Sequence, residues 1–170
     1  TSDNGGERYS DNWPLVGGKM DLTEGGIRVP WIAHWPAVIA AGTQTRQHCM
    51  TMDWSATLLA LGGGQPHPDF PIDGVSLASV LTGPANTFER PLYWRMNYRH
   101  QRALRQGDWK YLQVDENEYL FNITSDARER ANLVHKHPEK LRSMRQAWLA
   151  WESTVPAIPD DAVVSLGYSV

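Results

Sequence analysis

The sequence has 170 residues, of which 41% are hydrophobic and 21% are charged, and its formal net charge is −3. This composition is typical of a globular chain of one-domain size, and it disfavours a nucleic-acid partner, which would require a concentrated basic face. No apolar run approaches the ~20 residues that span a bilayer, so we expect no membrane partner either. Cys49 is the single cysteine, which excludes a disulfide within the chain.

The first half of the sequence predicts a long loop, one strand and one helix. Gly and Asx residues are too dense in residues 1–26 for a regular element. Residues 27–35 (IRVPWIAHW) are apolar and rich in β-formers, which predicts a buried strand with Pro30 at its start or at an edge. Asp53 is predicted to cap the helix that follows. The predicted apolar face of that helix consists of Trp54, Leu58 and Leu61.

The second half predicts a small antiparallel sheet covered by a helix. Apolar and polar residues alternate over residues 92–99, which is typical of a half-buried strand. Further short strands are predicted at residues 102–105, 108–114 and 118–123, and strands so close in sequence can be joined only by hairpins. Pro138 is predicted to begin a helix. The apolar stripe of that helix consists of Leu141, Met144, Trp148 and Trp151.

These elements predict an α+β fold class. Residues 91–170 are predicted to form a small antiparallel sheet of about four strands, packed by a C-terminal helix. Residues 1–90 offer one apolar strand and one helix, which indicates an incomplete piece of a larger α/β layer.

Two features of the N-terminal loop carry recognisable chemistry. Asp3 and Asn4 give two adjacent hard oxygen ligands with glycines behind them, a combination that suits Ca²⁺ or Mg²⁺. The Asn-Gly pair is also the commonest signal of a tight turn, so a turn without metal is an open alternative. Lys19 follows two glycines, and its ammonium could reach a bound anion; the alternative is an ordinary solvated loop lysine.

A series of short motifs, taken in order, resembles the sulfatase family of the alkaline-phosphatase superfamily. The motifs are TSDNGG, GGK and EGGIRVP in residues 1–30, D-x-x-x-T-L-L from Asp53, DGVSL from Asp73, R-x-G-D-W-K-Y from Arg105, and LFNI from Leu120, followed by Asp126, Glu129, Asn132 and Leu133. The resemblance covers almost the whole chain and identifies it as the C-terminal portion of a sulfatase. Residues 1–90 would then be a remnant of the α/β catalytic domain with the metal and sulfate-site loop, and residues 91–170 the C-terminal subdomain.

The resemblance implies a role for several residues of the loop. Asp3 and Asn4 would be two ligands of a divalent cation at the active site, usually calcium in this family, with magnesium as the other candidate. Lys19 would act in catalysis by binding the sulfate group and neutralising charge on the leaving oxygen. Glu24 and Arg28 match the motif as structural residues that hold the loop against the sheet.

The chain also departs from the family pattern. Val16 stands where an arginine is common, and Met20 stands where a glycine often follows the lysine. The family nucleophile is a formylglycine made from a C/S-x-P/A-x-R motif, which does not occur in these residues. Cys49 lies in CMTMD and is predicted to be a buried structural thiol. The resemblance implies that the formylglycine and the remaining ligands lie upstream of Thr1, so we expect this fragment alone to be inactive and to hold no metal.

Three functions are consistent with the sequence. The first is hydrolysis of a sulfated small molecule or sulfated carbohydrate by the parent protein, with Arg99 and His100 as further candidate substrate-binding residues in a turn that could equally be an ordinary solvated hairpin. The second is hydrolysis of a phosphate or phosphonate ester by a related enzyme. The third is a non-catalytic module that binds a partner or forms an oligomer through its aromatic surface. Separately, an exposed sheet edge left by missing strands would favour self-association. The resemblance implies a periplasmic or secreted location.

Overall fold

The computed structural model describes residues 1–7, 9–83, 87–159 and 161–162, and the chain forms two compact units. The first unit consists of Thr1–Asp3 and Pro30–Glu89, and the second of Asn4–Val29 and Arg90–Val170. The predicted domains, residues 1–90 and 91–170, stay a prediction; the units share the boundary near residue 90 but group residues 4–29 with the C-terminal sheet. The elements of the described residues are α1 (Glu24–Ile27), α2 (Asp53–Leu61), α3 (Ala78–Thr82), β1 (Leu92–Met96), β2 (Gln101–Gln106), β3 (Trp109–Val114), β4 (Asn117–Asn122) and α4 (Pro138–Glu152).

Asp53 and Thr57 of α2 organise the loops of the first unit. Asp53 is fully buried; one carboxylate oxygen accepts the Met50 N–H at 2.6 Å, and the other accepts the Val75 N–H at 2.9 Å. The Thr57 hydroxyl donates to the Asp53 carbonyl and accepts the Leu77 N–H. The prediction that Asp53 caps its own helix is therefore wrong. Asp53 is the first helical residue, and its carboxylate instead satisfies N–H groups of the turn before α2 and of the loop before α3.

Three predictions for the first half differ from the structure. Residues 28–35 form no strand, because a strand needs neighbours for its N–H and C=O groups and none of the described residues pairs with this segment. The apolar face of α2 is not buried, since Leu58 is 62% exposed. Cys49 is half-buried rather than buried. An apolar pattern predicts burial only where a partner element covers it.

The second unit contains the predicted four-stranded antiparallel sheet, in the order β1-β2-β3-β4. Ala103 pairs with Leu112, and Tyr111 pairs with Leu120, which sets the register of the three later strands. The predicted α+β class and hairpin connections are confirmed. β1 ends earlier than predicted because Tyr98–His100 form a single 3-10 turn.

Each face of the sheet has its own apolar core. The core between the sheet and α4 contains the buried side chains of Leu104, Tyr111 and Leu120 from the sheet and of Met144 and Trp148 from α4. The opposite face carries those of Leu22, Ala103, Leu112, Phe121 and Ile123. Leu22 belongs to the N-terminal loop, so this loop supplies part of the core and is not a solvated appendage.

The helix α4 begins at Pro138, as predicted, and packs its apolar stripe on the sheet. Trp148 is 1% exposed, and its indole N–H donates to the Trp94 carbonyl at 3.1 Å. The Trp151 ring stacks on Tyr93 with their centroids 4.9 Å apart. The predicted stripe is thus confirmed. None of the helices that the structure describes is long and apolar enough to cross a membrane.

Glu118 of β4 ties the sheet to α4. Its Oε1 accepts the Arg145 Nε–H at 2.7 Å and the Tyr111 hydroxyl at 2.9 Å, and its Oε2 accepts a second Arg145 N–H. Burial raises the pKa of Glu118, but the bonds from Arg145 and Tyr111 outweigh burial and bring the pKa below its ordinary value of 4.5.

We expect Glu118→Gln to reduce the free energy of unfolding by about 1 kcal/mol near neutral pH. The pKa of Glu118 is lower in the folded state than in the unfolded state, so the ionised carboxylate stabilises the fold above its ordinary pKa of 4.5, and acidification through the lowered pKa removes this contribution. Urea unfolding of both proteins at about pH 7 and about pH 3 measures the difference. A difference of the same size at both values would contradict the assignment.

Candidate functional site

Glycine pairs hold the N-terminal loop of the second unit together. These pairs are Gly5-Gly6, Gly17-Gly18 and Gly25-Gly26. The Gly5 N–H donates to the Gly26 carbonyl at 2.8 Å, so the first and third pairs are in contact through their backbones. A Cβ added to Gly18 would lie 2.6 Å from the Gly6 carbonyl oxygen, and one added to Gly25 would also meet backbone oxygen. The glycine-rich sequence therefore reflects close approach of backbone segments, where no side chain fits.

Lys19 lies against the turn that follows Asn4. The Lys19 N–H donates to the Gly6 carbonyl at 2.9 Å. Asn12 supports this contact, because its Oδ1 accepts the Gly6 N–H at 3.1 Å and its Nδ2 donates to the Gly17 carbonyl at 3.1 Å. The segments that carry Asn4 and Lys19 are thus joined by both backbone and side-chain hydrogen bonds.

The Lys19 ammonium forms an ion pair with Glu7. The Lys19 Nζ lies 2.5 Å from the Glu7 Oε1, and 39% of the Lys19 side chain and 55% of the Glu7 side chain are exposed. An exposed ion pair contributes little to stability because water competes for both charges. An anionic ligand can therefore replace Glu7 at the ammonium without a large loss of folding energy.

The predicted metal ligands Asp3 and Asn4 are consecutive in the chain, and the boundary between the two units falls between them. Asp3 is exposed, and its Oδ1 accepts the Ser2 hydroxyl at 3.4 Å; Asn4 is half-buried. Across the described ranges, no three His, Cys, Asp or Glu side chains form a group that could hold a metal ion. Asp3 and Asn4 offer two oxygen donors, fewer than the roughly six to eight that calcium takes.

Gln101 contacts the Lys19 loop from the sheet and was not among the predicted site residues. It begins β2 and is 2% exposed. Its Oε1 accepts the Leu22 N–H at 2.9 Å, and its Nε2 donates to the Met20 carbonyl at 2.8 Å. One signal could have found it: Gln101 lies two residues from the core residue Ala103, so a polar residue stands on the inward-facing side of the strand.

Lys110 of β3 is fully buried between two carboxylates. Its Nζ lies 3.0 Å from the Glu24 Oε1 and 2.8 Å from the Glu129 Oε1. The Glu129 Oε2 also accepts the Glu24 N–H at 2.7 Å, at the start of α1. The prediction that Glu24 holds the loop against the sheet is confirmed. Arg28 was predicted to have the same role. Its side chain is 58% exposed, and its Nη1 lies 4.0 Å from the Glu24 Oε2.

One cluster of charged side chains consists of Lys110, Glu24, Glu129 and Arg105. Burial shifts the pKa values of Glu129 and Arg105. It raises the pKa of Glu129, which the adjacent Lys110 ammonium opposes. It lowers the pKa of Arg105, which the Glu24 carboxylate opposes from 3.7 Å. Each of these groups would be costly to bury alone, so the cluster is stable only when it is complete.

Arg99 and His100 lie on the turn between β1 and β2, directly before Gln101. Both have a positive φ, 56° for Arg99 and 46° for His100. Arg99 is held by an ion pair of 3.0 Å with Asp115. His100 is exposed and lines a cleft of about 580 Å³ together with Arg95 and Arg102. The structure thus places these two residues on a turn whose next residue holds the Lys19 loop.

Comparisons with known proteins find similarity to sulfatases. The sulfatase family model matches residues 1–64. A sulfatase of Formosa agariphila is 31% identical over 175 residues, which cover 87% of this chain and 32% of that protein. The N-acetylgalactosamine-6-sulfatase of Homo sapiens is 37% identical over 100 residues, which cover 55% of this chain and 19% of that protein.

Solved structures agree with these matches. The crystal structure of Ps i-CgsB has a TM-score of 0.75 and 27% identity, covering 87% of this chain and 34% of that one. The chain corresponds to the C-terminal portion of a sulfatase. It spans about a third of the length of the sulfatases that it matches over most of its own length. The segment that the sulfatase family model matches includes Asp3, Asn4 and Lys19, whereas Gln101 and Lys110 lie outside that segment.

We expect Lys110→Met to lower the free energy of unfolding by about 3–5 kcal/mol, because the buried Glu129 would lose its ion-pair partner and Glu24 would keep only the more distant Arg105 and Arg28. Burial already raises the pKa of Glu129, and removal of Lys110 raises it further. The folded variant then binds a proton more tightly than the unfolded chain does, so the variant regains stability as the pH falls.

Urea unfolding at about pH 8 and about pH 5 tests this expectation, with the loss larger at the higher pH. The matched control is Lys136→Met, which changes an exposed lysine and should be nearly neutral. A loss for Lys110→Met that grew on acidification would show that the carboxylates are not its partners.

Proposed function

We propose that the protein containing this chain hydrolyses sulfate esters and that Lys19 contacts the sulfate group. The observation that carries the proposal is the placement of Lys19. Its ammonium reaches solvent from a loop fixed by glycine contacts, inside the segment that the sulfatase family model matches. A cation on a rigid support is what electrostatic stabilisation of a reacting anion requires, since nothing must reorganise during the reaction.

In the proposed reaction, the Lys19 ammonium donates hydrogen bonds to sulfate oxygens. It also neutralises the negative charge that grows on the leaving oxygen while the sulfur–oxygen ester bond breaks. Glu7 pairs with the ammonium before the substrate binds, and the sulfate then takes its place. Because the Glu7 carboxylate is largely exposed, it returns to water at little cost.

Asp3 and Asn4 are proposed as two ligands of a divalent cation, Ca²⁺ or Mg²⁺. The donor chemistry fits, because a carboxylate and a carboxamide oxygen are hard ligands of the kind that both cations prefer. A bound cation would supply positive charge at the sulfate. The remaining ligands and the formylglycine nucleophile would come from outside these 170 residues. We therefore also propose that this fragment alone is inactive.

A sulfated carbohydrate is the substrate class that we propose. The human relative is named for N-acetylgalactosamine 6-sulfate chemistry, and Ps i-CgsB has been solved in complex with k-i-k-neocarrahexaose at a TM-score of 0.74 to this chain. The turn beside the Lys19 loop adds two cationic or ionisable groups, Arg99 and His100. Groups of this kind favour anionic substituents on the sugars that flank the reacting sulfate.

We expect Lys19→Ala in the full-length protein to lower kcat/KM for p-nitrophenyl sulfate by about 10²–10³-fold, since it removes a charge aimed at the reacting group. Lys136→Ala, which removes an exposed lysine of the same unit, is the control and should leave kcat/KM unchanged. Parallel assays with p-nitrophenyl phosphate decide the ester class. Faster turnover of the phosphate ester by the unmodified protein would make the sulfate assignment wrong.

A second variant tests the turn. His100→Asn should raise KM for a sulfated oligosaccharide by about tenfold while kcat changes little, because it removes a binding group distant from the bond that breaks. Asparagine is chosen because it tolerates the left-handed backbone of this position, so the turn keeps its shape. An unchanged KM would remove His100 from the proposed substrate site, and a fall in kcat alone would indicate a different role.

A further inference from the structure

The buried side-chain amide of Gln101 makes three hydrogen bonds to backbone groups and a longer one, of 3.7 Å, to the Met96 sulfur. Its Oε1 accepts the Leu22 N–H at 2.9 Å. Its Nε2 donates to the Met20 carbonyl at 2.8 Å and to the Tyr98 carbonyl at 3.2 Å. The amide therefore pairs with the Lys19 loop as a β-strand would, with one donor and one acceptor, and it holds the turn beside it at the same time.

The orientation of this amide is fixed by its partners. With the nitrogen and oxygen exchanged, the NH₂ group would face the Leu22 N–H and the oxygen would face the two carbonyls of Met20 and Tyr98, which are repulsive contacts. Gln101 is 2% exposed, so water cannot replace a lost bond without opening the junction. The contact of Gln101 with the loop is therefore specific in geometry and not a general packing contact.

Lys19 is the residue whose position depends on this contact. The Lys19 N–H donates to the Gly6 carbonyl, and Gln101 holds the carbonyl of the next residue, Met20. Met20 has a φ of 76°, a conformation that non-glycine side chains disfavour. The Asp21 N–H donates to the Gly18 carbonyl at 3.0 Å and closes the turn that contains Lys19 and Met20, and Gln101 holds the same turn from outside at the Met20 carbonyl.

The ion cluster is a less direct support for Lys19. Lys110 holds Glu24, which is separated from Lys19 by four residues, whereas Gln101 holds the residue adjacent to Lys19. We propose that Gln101 is a positioning residue for sulfate ester hydrolysis, which sets the Lys19 ammonium and keeps the Tyr98–His100 turn in register with it. This inference rests on the function proposed above for Lys19.

The test uses the full-length protein with Gln101→Met, which keeps the length of the side chain and removes its hydrogen bonds. We expect kcat for p-nitrophenyl sulfate to fall by about tenfold to a hundredfold, with KM changed less than about threefold. The matched control is Gln113→Met. Gln113 is a glutamine of the same sheet whose side chain bonds Tyr111 and the Asp115 carbonyl. It should leave kcat within about twofold of the unmodified value.

A double-mutant cycle separates positioning from a structural defect. With p-nitrophenyl sulfate, which lacks the sugars that the Tyr98–His100 turn would contact, Gln101→Met should lower kcat in the unmodified protein but have no further effect on kcat in a Lys19→Ala background. Equal effects in both backgrounds would overturn the proposal. Gln101→Glu should lose at least as much kcat as Gln101→Met, because one of its carboxylate oxygens would face the Met20 and Tyr98 carbonyls in a buried site.

Hydrogen exchange provides a readout that does not depend on activity. Gln101→Met should accelerate exchange of the Leu22 amide by about tenfold or more, while Gln113→Met should not change it. An unchanged Leu22 rate would overturn the positioning role whatever the kinetics show. Failure of the unmodified protein to hydrolyse any sulfate ester, with faster Leu22 exchange in the variant, would instead refute the proposed function and leave the contact established.

Discussion

The buried ammonium of Lys110 is the interaction on which the second unit depends. Lys110 comes from β3, and it pairs with Glu24 at the start of α1 and with Glu129 after β4. Apolar side chains such as Leu22 supply the area that is buried, but an apolar contact tolerates sliding. Two buried carboxylates must both meet one ammonium, so they fix the N-terminal loop on the sheet in a single arrangement.

The arrangement of the Lys19 segment follows from this anchor. Once Glu24 is fixed, the glycine pairs stack their backbones, and each contact leaves no room for a Cβ. Gln101 then holds the Met20 carbonyl and the Leu22 N–H, on either side of the loop's own bond from the Asp21 N–H to the Gly18 carbonyl. Lys19 is consequently rigid at its backbone and exposed at its ammonium. That combination is what an anion-binding lysine needs.

The sheet and α4 could be predicted from the sequence because their patterns are local. Alternation with period two and the stripe that includes Trp148 depend only on neighbouring residues, and both were confirmed. The strand over residues 27–35 was wrong because a strand also depends on partners elsewhere. Gln101 and Lys110 were missed for another reason: a buried polar side chain is affordable only where specific partners meet it, and those partners lie far away in the sequence.

Backbone strain lies where the loop meets the sheet. Among the residues that the structure describes, the non-glycine residues with positive φ are Met20, Arg99, His100, Asp115 and Glu129. A left-handed non-glycine residue costs about 1–2 kcal/mol, so it persists only where contacts outweigh that cost. Gln101 bonds Met20 and the turn that contains Arg99 and His100, Arg99 pairs with Asp115, and Glu129 pairs with Lys110. Met20 lies in the Lys19 loop, and Glu129 and the turn with Arg99 and His100 are joined to that loop through Lys110 and Gln101, so the geometry of this junction is held against the preference of the backbone itself.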